Sequence, residues 1–289
     1  MKNLIKTLIG LMLGLIALSC GNPASVDFDK NQELQTIFAK VGQEHNNGLE
    51  FVFNQLSNEK LSPQNFNQLI SSIERNSNLF LKTQTQEFIQ SNYENAGLYS
   101  SLALKDTRAR KSRNARITES QNLWKDSDED KLTVKQKELL SELNSAINNE
   151  NLGLAETLQV FEKIRVRARY ECSEREFFAV IAAIEVGTNS LTYWHSNIQK
   201  WSKLIGSFES KSANGRVVSN KRQQSDFSWK SVGKADVSGA VGAAVGVGVA
   251  AVVTGPPGWA AGGAAVAGGA VGASAGDAVL QLLDSWWGD

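Results

Sequence analysis

From Leu34 to Leu56 apolar residues return every three or four positions: Leu34, Ile37, Phe38, Val41, Leu49, Val52, Phe53 and Leu56, with His45 on the same stripe. That spacing is one face of a long amphipathic helix. A second stripe follows Ser62-Pro63, an N-cap and first-turn proline, through Phe66, Leu69, Ile70 and Ile73. It extends toward Leu79, Phe80, Phe88 and Ile89. Thr133 with Gln136, and Ser173 with Glu176, are capping-box pairs. The first opens Leu139, Leu140, Leu143 and Ile147, and Leu154, Leu158, Phe161 and Ile164 continue the helical step. The second opens the longest stripe: Phe177, Ile181, Ile184, Tyr193, Trp194, Ile198, Trp201 and Ile205. Strand-type alternation is almost absent before the C-terminal tail. The fold class predicted is all-α, with residues 27–206 forming a body of about five helices. Periodicity fails near residues 100–130, where "KDTRARKSRNARITES" and "KDSDEDK" predict a mobile charged linker, and residues 207–234 read as a polar connector.

The tail, residues 235–289, has a different pattern. Val237, Val241, Val245, Val249 and Val253 recur every fourth residue, beside a row of Ser238, Gly242, Gly246 and Ala250. After "TGPPG" a second small row follows: Ala260, Ala264, Gly268, Gly272 and Gly276. Such rows lie on one helical face and let backbones approach closely. They resemble a glycine zipper, folded as a hairpin of Val237–Val253 against Trp259–Leu283 with Pro256-Pro257 in the turn. Gly242, Gly246, Gly268, Gly272 and Gly276 are its expected packing residues. Seventeen helical residues rise about 26 Å, slightly less than a hydrocarbon core of about 30 Å. Trp229 and Trp286-Trp287 fall at the base of such a hairpin and Trp259 at its tip, the levels at which interfacial tryptophans sit. Lys221, Arg222, Lys230 and Lys234 flank the base. Two other readings stay open: the hairpin as a core element of the body, or "VGVGVAAVV" in β-structure.

Charge and the N-terminus add a compartment. Lys2 and Lys6 precede an apolar stretch, Leu8–Leu18, that is too short to span as a stop-transfer helix and ends at Ser19-Cys20. This resembles a bacterial lipoprotein signal, with residues 1–19 removed, Cys20 lipidated and residues 20–26 a tether. Cys172 is then the one remaining thiol, so no intramolecular disulfide is expected. Lys+Arg and Asp+Glu number 30 each, which argues against nucleic acid as a partner. The tail holds four acids (Asp236, Asp277, Asp284, Asp289) and no base.

Candidate chemistry is sparse. The sequence contains no HExxH, CxxC or GxxxxGK[ST] motif and two histidines in all. His45, on the apolar stripe, is expected to be a hydrogen-bonded core residue, and His195 to cap a packed face. Cys172 would react only with a lowered pKa, and Arg169 is the nearby cation. Glu174 and Glu176 fit a helix start. No catalytic residue, metal site or cofactor is expected, and an enzyme is the weakest reading. "VGQEHNNGLEFVFNQL" and "SLTYWHSNIQKW" are similar to segments of uncharacterised lipoproteins of Bacteroidota-type bacteria, and the resemblance implies the cell envelope. The expected function is that of an envelope lipoprotein whose helical body is an interaction module. Its partners would be the bilayer, met through Cys20 and the hairpin, and a second copy through the glycine face. The alternative, from the likeness of the Ala/Gly-rich hairpin to bacteriocins and colicins, is a pore-forming antibacterial toxin.

Overall fold

The structure is a computed structural model that describes residues 28–59, 66–83, 100–101, 104–105, 122–124, 126–209, 228–253 and 256–287. The signal and tether, Ser62-Pro63, Phe88, Ile89, most of the basic run and residues 210–227 lie outside that set. All seven long elements among the described residues are helices, so the chain is all-α: α1 (Phe28–Asn58), α2 (Phe66–Thr83), α3 (Val134–Asn148), α4 (Leu154–Glu171), α5 (Glu174–Glu209), α6 (Trp229–Val253) and α7 (Pro256–Trp287). A 3-10 turn, Asp126–Lys131, precedes α3.

Four of these helices close a ring. α1 packs on α5, α5 on α6, α6 on α7, and α7 back on α1. α2 covers α1 and α7 from outside, and the α3–α4 pair covers α5 and α6. The reason lies in α5. Every residue from Phe177 to Gly187 is buried, and a helix buried all round needs neighbours on every side. The tail supplies two of them.

Local signals set the helix ends. Thr133 Oγ1 accepts from Gln136 N while Gln136 Oε1 accepts from Thr133 N at 2.9 Å. Ser173 and Glu176 repeat the exchange, and Thr133 Oγ1 donates to Glu176 Oε1 at 3.0 Å, stitching the starts of α3 and α5 together. Asn31 Nδ2 donates to the carbonyls of Arg169 and Cys172, both at 3.1 Å, closing the end of α4 with a side chain of α1.

Two expectations change. The predicted linker contributes Ser100, Leu104, Leu123 and Trp124 to the interior. Their isolated apolar groups pack without any period, which is why patterning missed them. The predicted connector ends earlier than residue 234, because α6 begins at Trp229 with Ser228 O accepting from Ser231 N and Val232 N. Lys230 Nζ donates to the carbonyls of Asn149 (2.6 Å) and Leu152 (2.7 Å), and Lys234 Nζ to Asn148 Oδ1 (3.1 Å). These lysines hold the foot of α6 to the α3–α4 turn.

Candidate functional site

One buried polar cluster draws a side chain from each helix of the ring. It comprises His45 of α1, Ser190 and Trp194 of α5, Asp236 of α6 and Ser274 of α7, all with no exposed surface. Asp236 Oδ2 is the hub. It accepts from Ser190 Oγ, from Ser274 Oγ at 2.8 Å and from Trp194 Nε1 at 3.1 Å. His45 Nε2 stands 3.5 Å from the same oxygen. Trp194 Nε1 also points to Ser274 Oγ at 2.9 Å. The cluster lies at a seam. On one side Val41, Leu191, Val237 and Ala270 belong to one apolar cluster; on the other, Leu49, Tyr193, Val232 and Ala275 belong to a second.

Position in each helix brings these groups together. A Cβ at Gly42 would meet Asn189 Nδ2 at 2.5 Å and Glu185 O at 2.6 Å, so only glycine lets α1 sit this close to α5. At that distance Asn46 Nδ2 donates to Asn189 O at 3.0 Å. The Asn46 amide oxygen therefore faces His45 Nδ1, 3.0 Å away. An amide oxygen only accepts, so Nδ1 carries the ring proton and Nε2 turns its lone pair toward Asp236.

Burial dominates the electrostatics. It drives the His45 imidazole down to about 4, the Asn46 contact pulling the other way. It pushes the Asp236 carboxyl well above its ordinary value, against the hydrogen bonds from Ser190, Ser274 and Trp194, while the negative field of Asp277 adds to the rise. Asp277 is itself buried and accepts from Gln281 Nε2 at 2.5 Å; Gln281 Nε2 also reaches Ser231 Oγ at 3.0 Å. Ser, His and Asp meet here, but each is sealed from solvent and both hydroxyls are spent on Asp236. In this state no substrate touches them. Among the described residues no group of three or more His, Cys, Asp or Glu could hold a metal ion.

The residues singled out by sequence fall elsewhere. Gly242 is half-buried with nothing within 4 Å of a Cβ, and Gly246 is exposed, so neither sits at a helix crossing. The close approach of α6 to α7 is at Gly239, where a Cβ would meet Ala273 Cβ at 2.8 Å and Gly269 O at 3.1 Å. Gly268 and Gly276 are buried. Gly272 faces Ser100, not α6: a Cβ would lie 2.6 Å from Ser100 O. Trp259, expected at the hairpin tip as a membrane-interface residue, is 1 % exposed and donates from Nε1 to Glu174 Oε1 at 3.1 Å. Trp229 is half-buried, edge-on to exposed His195 with ring centroids 5.3 Å apart. The side chains of Trp286 and Trp287, and all of Cys20, lie outside the described set. Cys172 is buried, and burial pushes its thiol up to about 12, the opposite of an activated nucleophile.

His45 was legible as a core histidine from its place on the stripe. Ser190, Asp236 and Ser274 were not singled out. The available signals were Asp236, the one acid in α6, and Ser274, the centre of Gly272-Ala273-Ser274-Ala275-Gly276, a GxSxG match that lies inside α7 and not at a strand-to-helix turn.

Among the described residues no helix is long and apolar enough to cross a membrane. No family model, curated protein or solved structure matches this chain.

Proposed function

We propose that the chain is a lipid-tethered protein of the bacterial cell envelope, acylated at Cys20, whose helical domain is an interaction module held at the bilayer. The observation that carries this reading is the enclosure of the tail. α6 and α7 complete the four-helix ring, and Trp259 is buried against the start of α5. With the hairpin enclosed, membrane contact in this state falls to the cysteine that ends the apolar N-terminal stretch. One acyl chain binds a bilayer only marginally, so a second lipid group or a protein partner shares the task. The hairpin resembles a glycine zipper in composition. Its closest pairing, Gly239 on Ala273 and Gly269, is internal. Gly268, Gly272 and Gly276 are buried, Gly272 against Ser100, so self-association or membrane association through them requires those faces to be uncovered first.

The test is metabolic labelling with an alkynyl fatty acid, followed by carbonate extraction. Cys20→Ala should abolish labelling and release the protein from membranes; labelling that survives the change defeats the proposal. A pore-forming toxin is the second reading, favoured by the storage of an apolar hairpin whose residues 235–289 carry four acids and no base. Release of liposome-trapped dye by purified protein, in step with loss of Trp259 burial, would favour that reading over a resident lipoprotein.

A further inference from the structure

We infer that His45 and Asp236 hold a single proton between them in the sealed ring, and that this proton is the latch fastening α6 and α7 to α1 and α5. The geometry carries the inference. One carboxylate oxygen is the meeting point of four helices, and His45 Nε2 and Asp236 Oδ1 are fully buried without a hydrogen-bond partner among the described residues. Among the described residues nothing else charged is bonded to the pair. α5 presents neutral Ser190 and Trp194, and α7 presents Ser274 and, further along, Asp277. On α6, Lys234 is spent on Asn148. A bare carboxylate here would be an uncompensated buried charge, and so would an imidazolium beside a protonated acid. One proton is the occupancy that keeps the core neutral, and it sits on the carboxyl, facing the Nε2 lone pair, so that neither group is charged. The latch is independent of Cys20.

Proton counting gives the sign. In the open ring both groups are hydrated and titrate at about 3.9 and 6.5. Between those values the open form also holds one proton, on the imidazole, so pH has no leverage on closure. Above about 6.5 the open form holds none while the closed pair still holds one. Opening then gains about tenfold per pH unit until the closed pair loses its proton. The device releases the hairpin on alkalinisation and resists mild acid.

The experiment measures amide hydrogen exchange of α6 and α7, corrected for intrinsic rates, and urea midpoints of the purified full chain from pH 5 to 9. Wild-type opening should be level below about pH 6.5 and rise about tenfold per unit above it. Asp236→Asn should invert this: level above about 6.5, with opening rising as pH falls and the freed imidazole charges. A wild-type profile that superimposes on that of Asp236→Asn overturns the latch. Should the variant not fold, the wild-type imidazoles decide, because the chain has two histidines. His45 should keep a neutral ring with the proton on Nδ1 down to about pH 5. A ring that charges at the same pH as exposed His195 overturns the inference.

Discussion

Replacing three hairpin glycines by alanine, one at a time, tests the packing with opposite signs. Alanine in a helix interior is favoured over glycine by about 0.5–1 kcal/mol. At Gly242 nothing stands within 4 Å of the new Cβ, so Gly242→Ala should stabilise by that full amount. At Gly239 the Cβ would sit 2.8 Å from Ala273 Cβ, where carbon atoms prefer about 3.5–4.0 Å. The helices must part by most of an ångström, and overpacking of this kind costs about 1–3 kcal/mol. The helix gain offsets part of that, leaving a net loss of about 1 kcal/mol. Gly272 is worse placed, with Ser100 O at 2.6 Å, Ser100 Cα at 2.9 Å and Ser100 Oγ at 2.9 Å. Backbone supplies two of these contacts and cannot rotate away, so Gly272→Ala should lose about 1–2 kcal/mol. The assay is urea unfolding followed by circular dichroism, with midpoints compared at constant slope. A two-row zipper, with Gly242 and Gly272 both on the mating faces, predicts losses at both. If Gly242→Ala destabilises as much as Gly272→Ala, the crossing is not at Gly239 and the reasoning fails.

Three further outcomes follow from the same packing. Trp259→Phe should lose about 1 kcal/mol with the bond to Glu174, and Trp259→Ala about 3–5 kcal/mol with the buried ring, read from the same midpoints; a neutral Trp259→Ala would return that residue to the surface. Cys172, with its thiol raised to about 12 by burial, should ignore a thiol-specific disulfide reagent at pH 8 in the native protein and react in urea. Its raised value stabilises the fold fully below about pH 8.5 and is lost as pH climbs toward 12, so Cys172→Ala should lessen alkaline destabilisation above pH 9. A fragment ending at Glu209 keeps α1 and α5 but exposes the faces that α6 and α7 cover; it should bind a hydrophobic dye and unfold without cooperativity, whereas a sharp transition would make the body independent of its tail.

Local signals were readable in the sequence and cross-helix ones were not. The capping pairs Thr133–Gln136 and Ser173–Glu176 lie within one turn, so spacing alone revealed them. The stripes of α1 and α5 likewise named Leu34, Phe38, Phe177 and Trp201 as core, and all four are buried. Asp236 gave little away. Its partners Ser190, Trp194 and Ser274 are 46, 42 and 38 residues distant, and no periodicity links an acid in one helix to a serine in another. Trp259 misled for a different reason: a tryptophan next to a turn suits an interface belt and a packed helix start equally well. Only the position of Glu174 Oε1, 85 residues away, separates the two. Leu104, Leu123 and Trp124 were hidden in a polar stretch, where single apolar anchors carry no pattern to detect.

The composition of the tail is ambiguous because small residues serve close backbone packing in lipid and in protein alike. What separates the two is whether the rest of the chain leaves bulky apolar faces uncovered. Here it does. α5 turns Phe177, Phe178, Trp194 and Trp201 into the interior, and α1 adds Phe38, whose ring meets Phe178 edge-on with centroids 5.1 Å apart. Interiors fill to crystal-like density, so large side chains from two helices call for small ones opposite. α6 and α7 provide them: Ala240, Val241, Ala244, Ala264, Ala267 and Ala270 are all buried. The Gly/Ala/Val tail is thus the steric complement of a Phe/Trp-rich pair. Asp236, Ser274, Asp277 and Gln281 are buried polar exceptions, the first two set where Trp194 and His45 need partners. A segment built only for lipid would have no use for a carboxylate at that depth, and one built only as filler would have no use for the glycine at 239. Both features are accounted for when the tail is read as half of a protein core.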